Sequence, residues 1–421
     1  MEEPLYQRAI EYHRRIPAGK IGVALTKPLS THDDLALAYS PGVAAISKAI
    51  HADPQEATFL TARANLIAVI TNGSSVLGLG NIGPLAAKPV MEGKAAIFRK
   101  FAGINVFDLE INEADPQKLV DIIASLEPTF GGVNLEDIKA PECFYIEKEL
   151  KKRLKIPVFH DDQHGTAIIV AAAALGALTL VNKPIGSIKL VVSGAGAAAL
   201  TCIDMLIALG LRKDNVLVVD QAGVIYEGRA ERMDPSKERY ATSSPLRTLA
   251  EALEGADFFL GLSAGGLVSG EMIAKMAQDP IVFALANPLP EILPEEVKRI
   301  WPGAIVATGR SDYPNQVNNA LCFPFIFRGA LDVGATTINT EMALACIHAL
   351  VHIAQQGSPS QMIAFGPDYL IPDIFDTRLL VDLPIAVAKA AMESGVATRP
   401  IQDLDTYQQS LTALTHRLAH D

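Results

Sequence analysis

Cysteine is sparse in this chain: Cys143, Cys202, Cys322 and Cys346 lie far apart and form no C-x-x-C pair. That spacing excludes a disulfide framework and a structural zinc site, and it fits a reducing, cytoplasmic setting. Long apolar runs are lacking too. The longest, Ala167 to Val181, falls short of a bilayer span and contains Gly176 and Thr179, so no membrane partner is expected and the segment reads as a buried helix. Met1 to Arg15 carries Glu2, Glu3 and Glu11 in place of the apolar stretch of a signal peptide. No stretch of lysine and arginine forms a basic patch, and the formal charge is -11, which disfavours nucleic acid as a partner. An anionic substrate therefore needs local positive charge. Internal repeats and low-complexity tracts are absent as well.

What is present is bulk and apolar content. At 421 residues, 49% of them hydrophobic and 20% charged, the chain exceeds one ordinary core, and two domains are expected. Up to about Ile156 short strands, such as Leu66 to Thr71 and Asn105 to Glu110, mix with helical stretches such as Pro116 to Leu126. Pro157 to Asp162 reads as a buried strand ending in acidic residues, and an Ala-rich helix starts at Thr166. Beyond it, Lys189 to Ser193, Ala197 to Leu209 and Val216 to Asp220 form a βαβ unit, followed by apolar strands at Phe258 to Leu262, Ile281 to Ala286 and Ala304 to Thr308. The pattern predicts an α/β fold with a doubly wound parallel sheet of the Rossmann type. From Asp332 the chain is largely helical, with joints near Pro359, Pro367, Pro372 and Pro384. The expected division is an N-terminal α/β catalytic domain over 1–162, a dinucleotide-binding domain over 163–390 and a helical tail over 391–421.

Gly194, Ala195, Gly196, Ala197, Ala198 and Ala199 spell G-x-G-x-x-A between a β-branched strand and an apolar helix. Asp220 ends the next strand at the spacing of a ribose-binding acid. Side chains must be absent where backbone approaches a pyrophosphate, and the helix start supplies amide donors. The bland alternative is an ordinary strand-to-helix turn. A literal G-x-G-x-x-G also occurs at Gly78, Gly80 and Gly83, but Pro84 and Pro89 are expected to interrupt the helix after it. It reads as an active-site loop whose backbone donors hold a substrate carboxylate, or equally as a structural turn.

Glu136 and Asp137 follow Gly131-Gly132, and Asp161 and Asp162 end the strand from Pro157. Neighbours on a strand face opposite ways, so both members of a pair reach one site only if a turn intervenes. Carboxylate ligands select Mg2+ or Mn2+ over zinc. Read alone, such pairs are equally solvated loops or helix caps. His160 and His164 have the spacing of a zinc helix, but Pro157 and the missing Glu of H-E-x-x-H leave them a structural role.

Longer strings go further. Ala38-Tyr39-Ser40-Pro41-Gly42-Val43-Ala44, Gly93-Lys94-Ala95, Asn134-Leu135-Glu136-Asp137-Ile138 and Phe159-His160-Asp161-Asp162-Gln163-His164-Gly165-Thr166 resemble the malic enzymes in order and spacing. Gly309-Arg310-Ser311-Asp312-Tyr313 and Gln316-Val317-Asn318-Asn319 extend the resemblance, which runs from about Lys20 to Pro400 and is nearest the bacterial branch. Some members of that branch carry a further phosphotransacetylase-like domain, which is not expected here. The resemblance implies oxidative decarboxylation of L-malate to pyruvate and CO2 with NAD or NADP and Mg2+ or Mn2+. It implies Lys94 as general base, Tyr39 as general acid, Glu136, Asp137 and Asp162 as metal ligands, and Asp161 in support. Asn287 and Asn319 are implied to contact the nicotinamide or the substrate, and the assembly to be a homodimer or a larger even homo-oligomer. Without the motif, Tyr39 is as well a packed tyrosine beside Pro41 and Lys94 an exposed helix lysine.

Lys94 must be neutral to accept a proton, so burial and a nearby cation are expected to lower its pKa. Two departures matter. Ser74-Ser75 stand where larger malic enzymes have an Arg for a malate carboxylate, and Gln221-Ala222-Gly223 after Asp220 lacks the Lys that accompanies NADP use. Asp220 is expected to repel a 2′-phosphate, which favours NAD. The competing readings are another decarboxylating β-hydroxy acid dehydrogenase, acting on tartrate or isocitrate, and a catalytically silent dinucleotide-binding regulator.

Overall fold

The computed structural model describes residues 2–76, 78–358 and 361–420; Pro359, one of the expected joints, lies outside them. The first of two sheets contains β1 (Leu66–Thr71), β2 (Asn105–Glu110), β3 (Gly132–Leu135) and β4 (Val158–His160), in the order β2-β1-β3-β4. All pairs are parallel. Parallel strands need crossovers, and the helices Pro84–Ala102, Pro116–Ser125 and Glu142–Arg153 supply them. From β1 the chain winds first to one side, to β2, and then to the other, to β3. This reversal opens a crevice outside the carboxyl ends of β1 and β3.

The second sheet contains β5 (Leu190–Ser193), β6 (Val216–Asp220), β7 (Gly223–Val224), β8 (Phe258–Gly261), β9 (Ile281–Ala284) and β10 (Ile305–Thr308). Its order is β10-β9-β8-β5-β6-β7, parallel except for β7, which turns back on β6. Every residue of β5, β8, β9 and β10 is buried, as a sheet covered on both faces requires. The winding reverses between β5 and β8 and makes a second crevice. This is the doubly wound, Rossmann-type sheet that the sequence predicts, next to a smaller α/β unit.

Two local expectations fail. The strand from Pro157 stops at His160, and Asp161–Gly165 coil into a wide turn before the helix Thr166–Leu180. Pro84 and Pro89 do not interrupt the helix after Gly83, which runs unbroken to Ala102: Pro84 occupies the first turn, where a missing N–H costs nothing, and Pro89 sits inside the helix without ending it.

The Ala-rich helix Thr166–Leu180 is apolar all round and nearly all buried. Together with the turn before it, it is the one described helix long and apolar enough to cross a membrane, and most of it lies inside the protein. A single core joins the two sheets across it. Within that core Phe327 meets Phe98 and Phe159 edge to face at centroid distances of 5.5 and 5.8 Å, and Phe323 lies tilted against Phe98 at 4.7 Å. The N-terminal stretch differs: no residue from 5 to 65 is buried, and Leu5, Ile16, Val23, Leu37 and Tyr39 stand exposed.

Candidate active site

The first crevice collects the acidic residues. Both pairs lie just past a strand end, where the backbone turns: Asp137 takes a left-handed φ of 54°, and Asp161 and Asp162 open the turn after His160. These turns defeat the alternation that would otherwise split each pair. Carboxylate oxygens of Glu136, Asp137 and Asp162 all lie within 4.8 Å of one another. The Asp137 N–H donates to Asp162 Oδ2 at 2.8 Å, and Asn134 Nδ2 donates to Glu136 Oε2 at 3.1 Å, which fixes the cluster. Burial, reinforced by the neighbouring carboxylates and opposed by Lys94, pushes the Glu136 carboxyl well above its usual range. Three hard oxygen donors converging at a half-buried point fit a divalent cation of the Mg2+ or Mn2+ kind.

Asp161 has a different task. Its carboxylate accepts from Lys94 Nζ and, at 3.1 Å, from Asn319 Nδ2. Lys94 Nζ also lies 3.0 Å from Glu136 and 4.3 Å from the centroid of Phe323. Asn319 is anchored in turn by the Thr166 hydroxyl at 3.1 Å. Gly165 is required here, since a Cβ would fall 1.9 Å from Asp161 Oδ1. The pKa of Lys94 departs from the expected direction. Burial lowers it, but Asp161, Glu136 and Asp162 together outweigh burial and hold the ammonium above its ordinary value. The reason is the number of carboxylates around one cation.

The first glycine loop closes over this cluster. Ser75 N–H donates to Asp137 O at 3.0 Å, and Lys139 N–H donates to Ser74 Oγ at 3.0 Å, so the serine standing where larger relatives have an arginine ties the loop to the ligand turn. Gly80, at φ 74°, turns back to pair with Val76. Gly78 faces the second lobe: a Cβ there would meet Asn287 O at 3.4 Å. Asn287 thus stands exposed at the rim of the second crevice, beside the loop.

A cavity of about 1050 Å3 fills the second crevice, lined by Gly194, Ala195, Gly196, Asp220, Arg232 and Lys237 among others, with Ala140, Pro141 and Phe144 from the first lobe. The glycines serve different ends. At Gly194, with φ 111°, a Cβ would strike Leu262 O at 2.3 Å, so the close approach of two strand ends demands glycine. At Gly196 a Cβ would meet nothing within 4 Å, which leaves its backbone open at the start of the helix Ala197–Ala208, with Ala197 and Ala198 forming the first turn. Asp220 is not free to take a ribose. Arg229 grips both its oxygens at 2.8 and 2.7 Å, Lys237 Nζ lies at 3.1 Å, and Ala222 N–H donates at 2.9 Å. These bonds outweigh burial and hold the carboxyl at about 2. The expected repulsion of a 2′-phosphate is thereby offset by two cations.

Tyr39 is not brought to the cluster. It caps the short helix His32–Ala38, stands 70% exposed, and its hydroxyl has no hydrogen-bond partner among the described residues. Other contributors were invisible in the sequence. Glu147, buried on the helix Glu142–Arg153, accepts from His164 at 2.8 and 3.0 Å and from His160 N–H at 3.3 Å, and so braces the turn that presents Asp161 and Asp162. His160 and His164 therefore serve structure and not zinc. Glu291, fully buried, accepts from Ser263 N–H at 2.9 Å and Ala286 N–H at 3.1 Å, which fixes the approach to Asn287. Glu147 stands among other charged residues of its helix and Glu291 in a proline-rich connection, so neither carried a signal.

Residues 18–119 match the family model described as malic enzyme, N-terminal domain, and 163–392 match malic enzyme, NAD binding domain. The chain is 58% identical to the NADP-dependent malic enzyme of Haemophilus influenzae, with 99% of this chain and 56% of that protein covered. It therefore spans about half the length of the curated relatives it matches first. It is 52% identical to the NADP-dependent malic enzyme of Halomonas elongata, covering 95% of this chain and 96% of that one. A solved malic enzyme from Pyrococcus horikoshii superposes with a TM-score of 0.90 at 42% identity, over 98% of this chain and 95% of the other.

Proposed function

Because the chain belongs to the malic enzyme family, we propose that it oxidatively decarboxylates L-malate to pyruvate and CO2, with NADP and a divalent cation. One observation carries the reading: Lys94 is held by Asp161 and by Glu136, one of three convergent carboxylates. A base, a hard-cation site and a nucleotide site then serve successive steps on one small hydroxy acid.

Glu136, Asp137 and Asp162 are the residues to hold the cation. When bound, it supplies positive charge that polarises the malate C2 oxygen and offsets the carboxylates that now keep Lys94 protonated. Lys94 then accepts the C2 hydroxyl proton at Nζ, oriented by Asp161, while Asn319 keeps Asp161 in place. The nicotinamide supplies the hydride acceptor from the crevice rimmed by Asn287 and Gly196. Gly78 and Gly80 offer backbone donors to a malate carboxylate. After CO2 departs, a proton must reach C3, and Tyr39 is its donor.

NADP is favoured because Asp220 is already neutralised and Lys237 and Arg232 line the cavity beside it. The relatives named above as NADP-dependent support the same choice.

A second copy of the chain is the partner. Residues 5–65 bury nothing of their own and expose Leu5, Ile16, Val23, Leu37 and Tyr39, a surface that a monomer would not leave to water. Such an arm, packed on a twin subunit, brings Tyr39 to the partner's Lys94.

The test is formation of reduced nicotinamide from malate with Mn2+ and each cofactor in turn. Turnover with NADP and a higher KM for NAD are expected. Turnover with tartrate or isocitrate but not malate would overturn the substrate assignment, and no turnover with any of them would leave the regulator.

A further inference from the structure

Two loops form one rim of the dinucleotide crevice, and a single buried acid ties them together. They follow β8 and β9, over residues 262–268 and 285–291. Glu291 closes the second loop and is fully buried, a rare place for a glutamate. Its Oε1 accepts from the Ser263 N–H at 2.9 Å and from the Ser263 hydroxyl at 3.1 Å, and its Oε2 accepts from the Ala286 N–H at 3.1 Å. One carboxylate therefore spans the ends of two neighbouring strands. The hydroxyl of Ser193, the last residue of β5, lies 2.9 Å from that of Ser263 and extends the tie to a third strand.

The chain makes room for this acid. Gly261 ends β8, and a Cβ there would fall 2.6 Å from Glu291 Oε2. Backbone bonds then zip the loops together: the Gly266 N–H donates to Pro290 O and the Val268 N–H to Glu291 O, both at 3.0 Å. Asn287 follows Ala286 directly. Gly309 leaves the space that its side chain occupies, since a Cβ at Gly309 would lie 2.6 Å from Asn287 Nδ2. Burying a carboxylate carries a desolvation cost that hydrogen bonds at best offset, so apolar side chains would serve stability as well. What the acid adds is a fixed spacing between two loops.

Their position shows what the spacing serves. A dinucleotide crosses a doubly wound sheet at its switch point, with the pyrophosphate at the helix start beside Gly196. Asp220 and Lys237 mark the adenosine side, past the end of β6. The other half then extends over β8 and β9, where Ser263 and Ala264 line the cavity and Asn287 stands at the rim. We infer that Glu291 is a positioning residue for the nicotinamide half of the dinucleotide: buried away from the ligand itself, it sets the two loops on which that half rests. This rests on reading the second crevice as the dinucleotide site, and not on the choice of malate as substrate.

The test compares two probes by calorimetry on the full chain, without malate or metal. One is NADP and the other is 2′-phospho-ADP-ribose, the same molecule without its nicotinamide; NAD and ADP-ribose replace them if the chain prefers NAD. In Glu291→Gln the side chain keeps its size but has a single carbonyl oxygen, so one of the two N–H groups now faces an amide donor. NADP affinity should fall roughly tenfold while that of the fragment stays within about twofold. A merely structural role would weaken both probes alike or neither, and either result overturns the inference. If Glu291→Gln does not fold, Ser263→Ala carries the test, because Ser263 is exposed and the change removes one hydroxyl bond to Glu291 and leaves both N–H bonds. A loss of roughly threefold for NADP and none for the fragment is then expected, and an equal loss for both, or none for either, overturns the inference. Since malate takes no part, failure of the proposed reaction would show separately, as binding without turnover.

Discussion

Lys94 and Asp220 are two partly buried charges that the fold treats in opposite ways. Lys94 faces more carboxylates than it can neutralise, and Asp220 faces more cations than it needs. Replacing Lys94 with Ala removes the proposed proton acceptor, and kcat should drop by about 10²–10⁴ or more while circular dichroism keeps its helical signal. At Asp220 the expected outcome concerns both stability and specificity. Its carboxyl is depressed to about 2, so it stabilises the fold above its ordinary pKa of roughly 4, and that contribution is lost as the pH falls between those values. Arg229→Met removes its main partner but leaves Lys237 and the Ala222 amide on the carboxylate. A loss of about 1.5–3 kcal/mol in urea unfolding at neutral pH is expected. Lys237→Ala should raise KM for NADP and leave KM for NAD nearly unchanged; an equal rise for both would show that Lys237 only props up Asp220. The place of Asp220 at the end of its strand was legible in the sequence, but its partners, which take it away from a ribose, were not. Arg229 and Lys237 stand 9 and 17 residues away on a loop without periodicity, and only the folded loop brings them back.

At the scale of elements, most of the parallel strands were readable as short β-rich runs, and β1, β2 and β6 have the predicted bounds, whereas β3, only four residues long and opening on a glycine, was not read as a strand. The turns were not readable, because backbone direction at a strand end depends on neighbours far off in the chain. Asp161–Gly165 is the case in point: it takes its course from Glu147, on a different helix, through His164 and the His160 amide. The glycine turn makes the same contrast testable. Gly194→Ala forces a Cβ against Leu262 O at a left-handed φ, and the variant should unfold at markedly lower temperature. Gly196→Ala, with a φ of -84° and open space before it, should fold normally and raise KM for the dinucleotide. Equal thermal midpoints for the two variants would contradict this division of labour.

For the whole molecule, the arm of residues 5–65 was the part the sequence concealed, since its helices carry apolar residues like any others and nothing marks them as lacking a core to join. The continuous core of the two sheets does not include it. Specific activity should therefore fall on dilution, in step with a drop in mass seen by sedimentation. The arm has a genetic consequence as well. On the proposed arrangement, in which Tyr39 works across a subunit boundary, a chain carrying Tyr39→Phe and one carrying Lys94→Ala are each expected to be inert alone. Mixed and reassembled, half of the pairs hold one site with both lesions and one with neither, which restores about a quarter of the parent activity for a twofold dimer. Two broken alleles would then sustain a cell that neither sustains by itself.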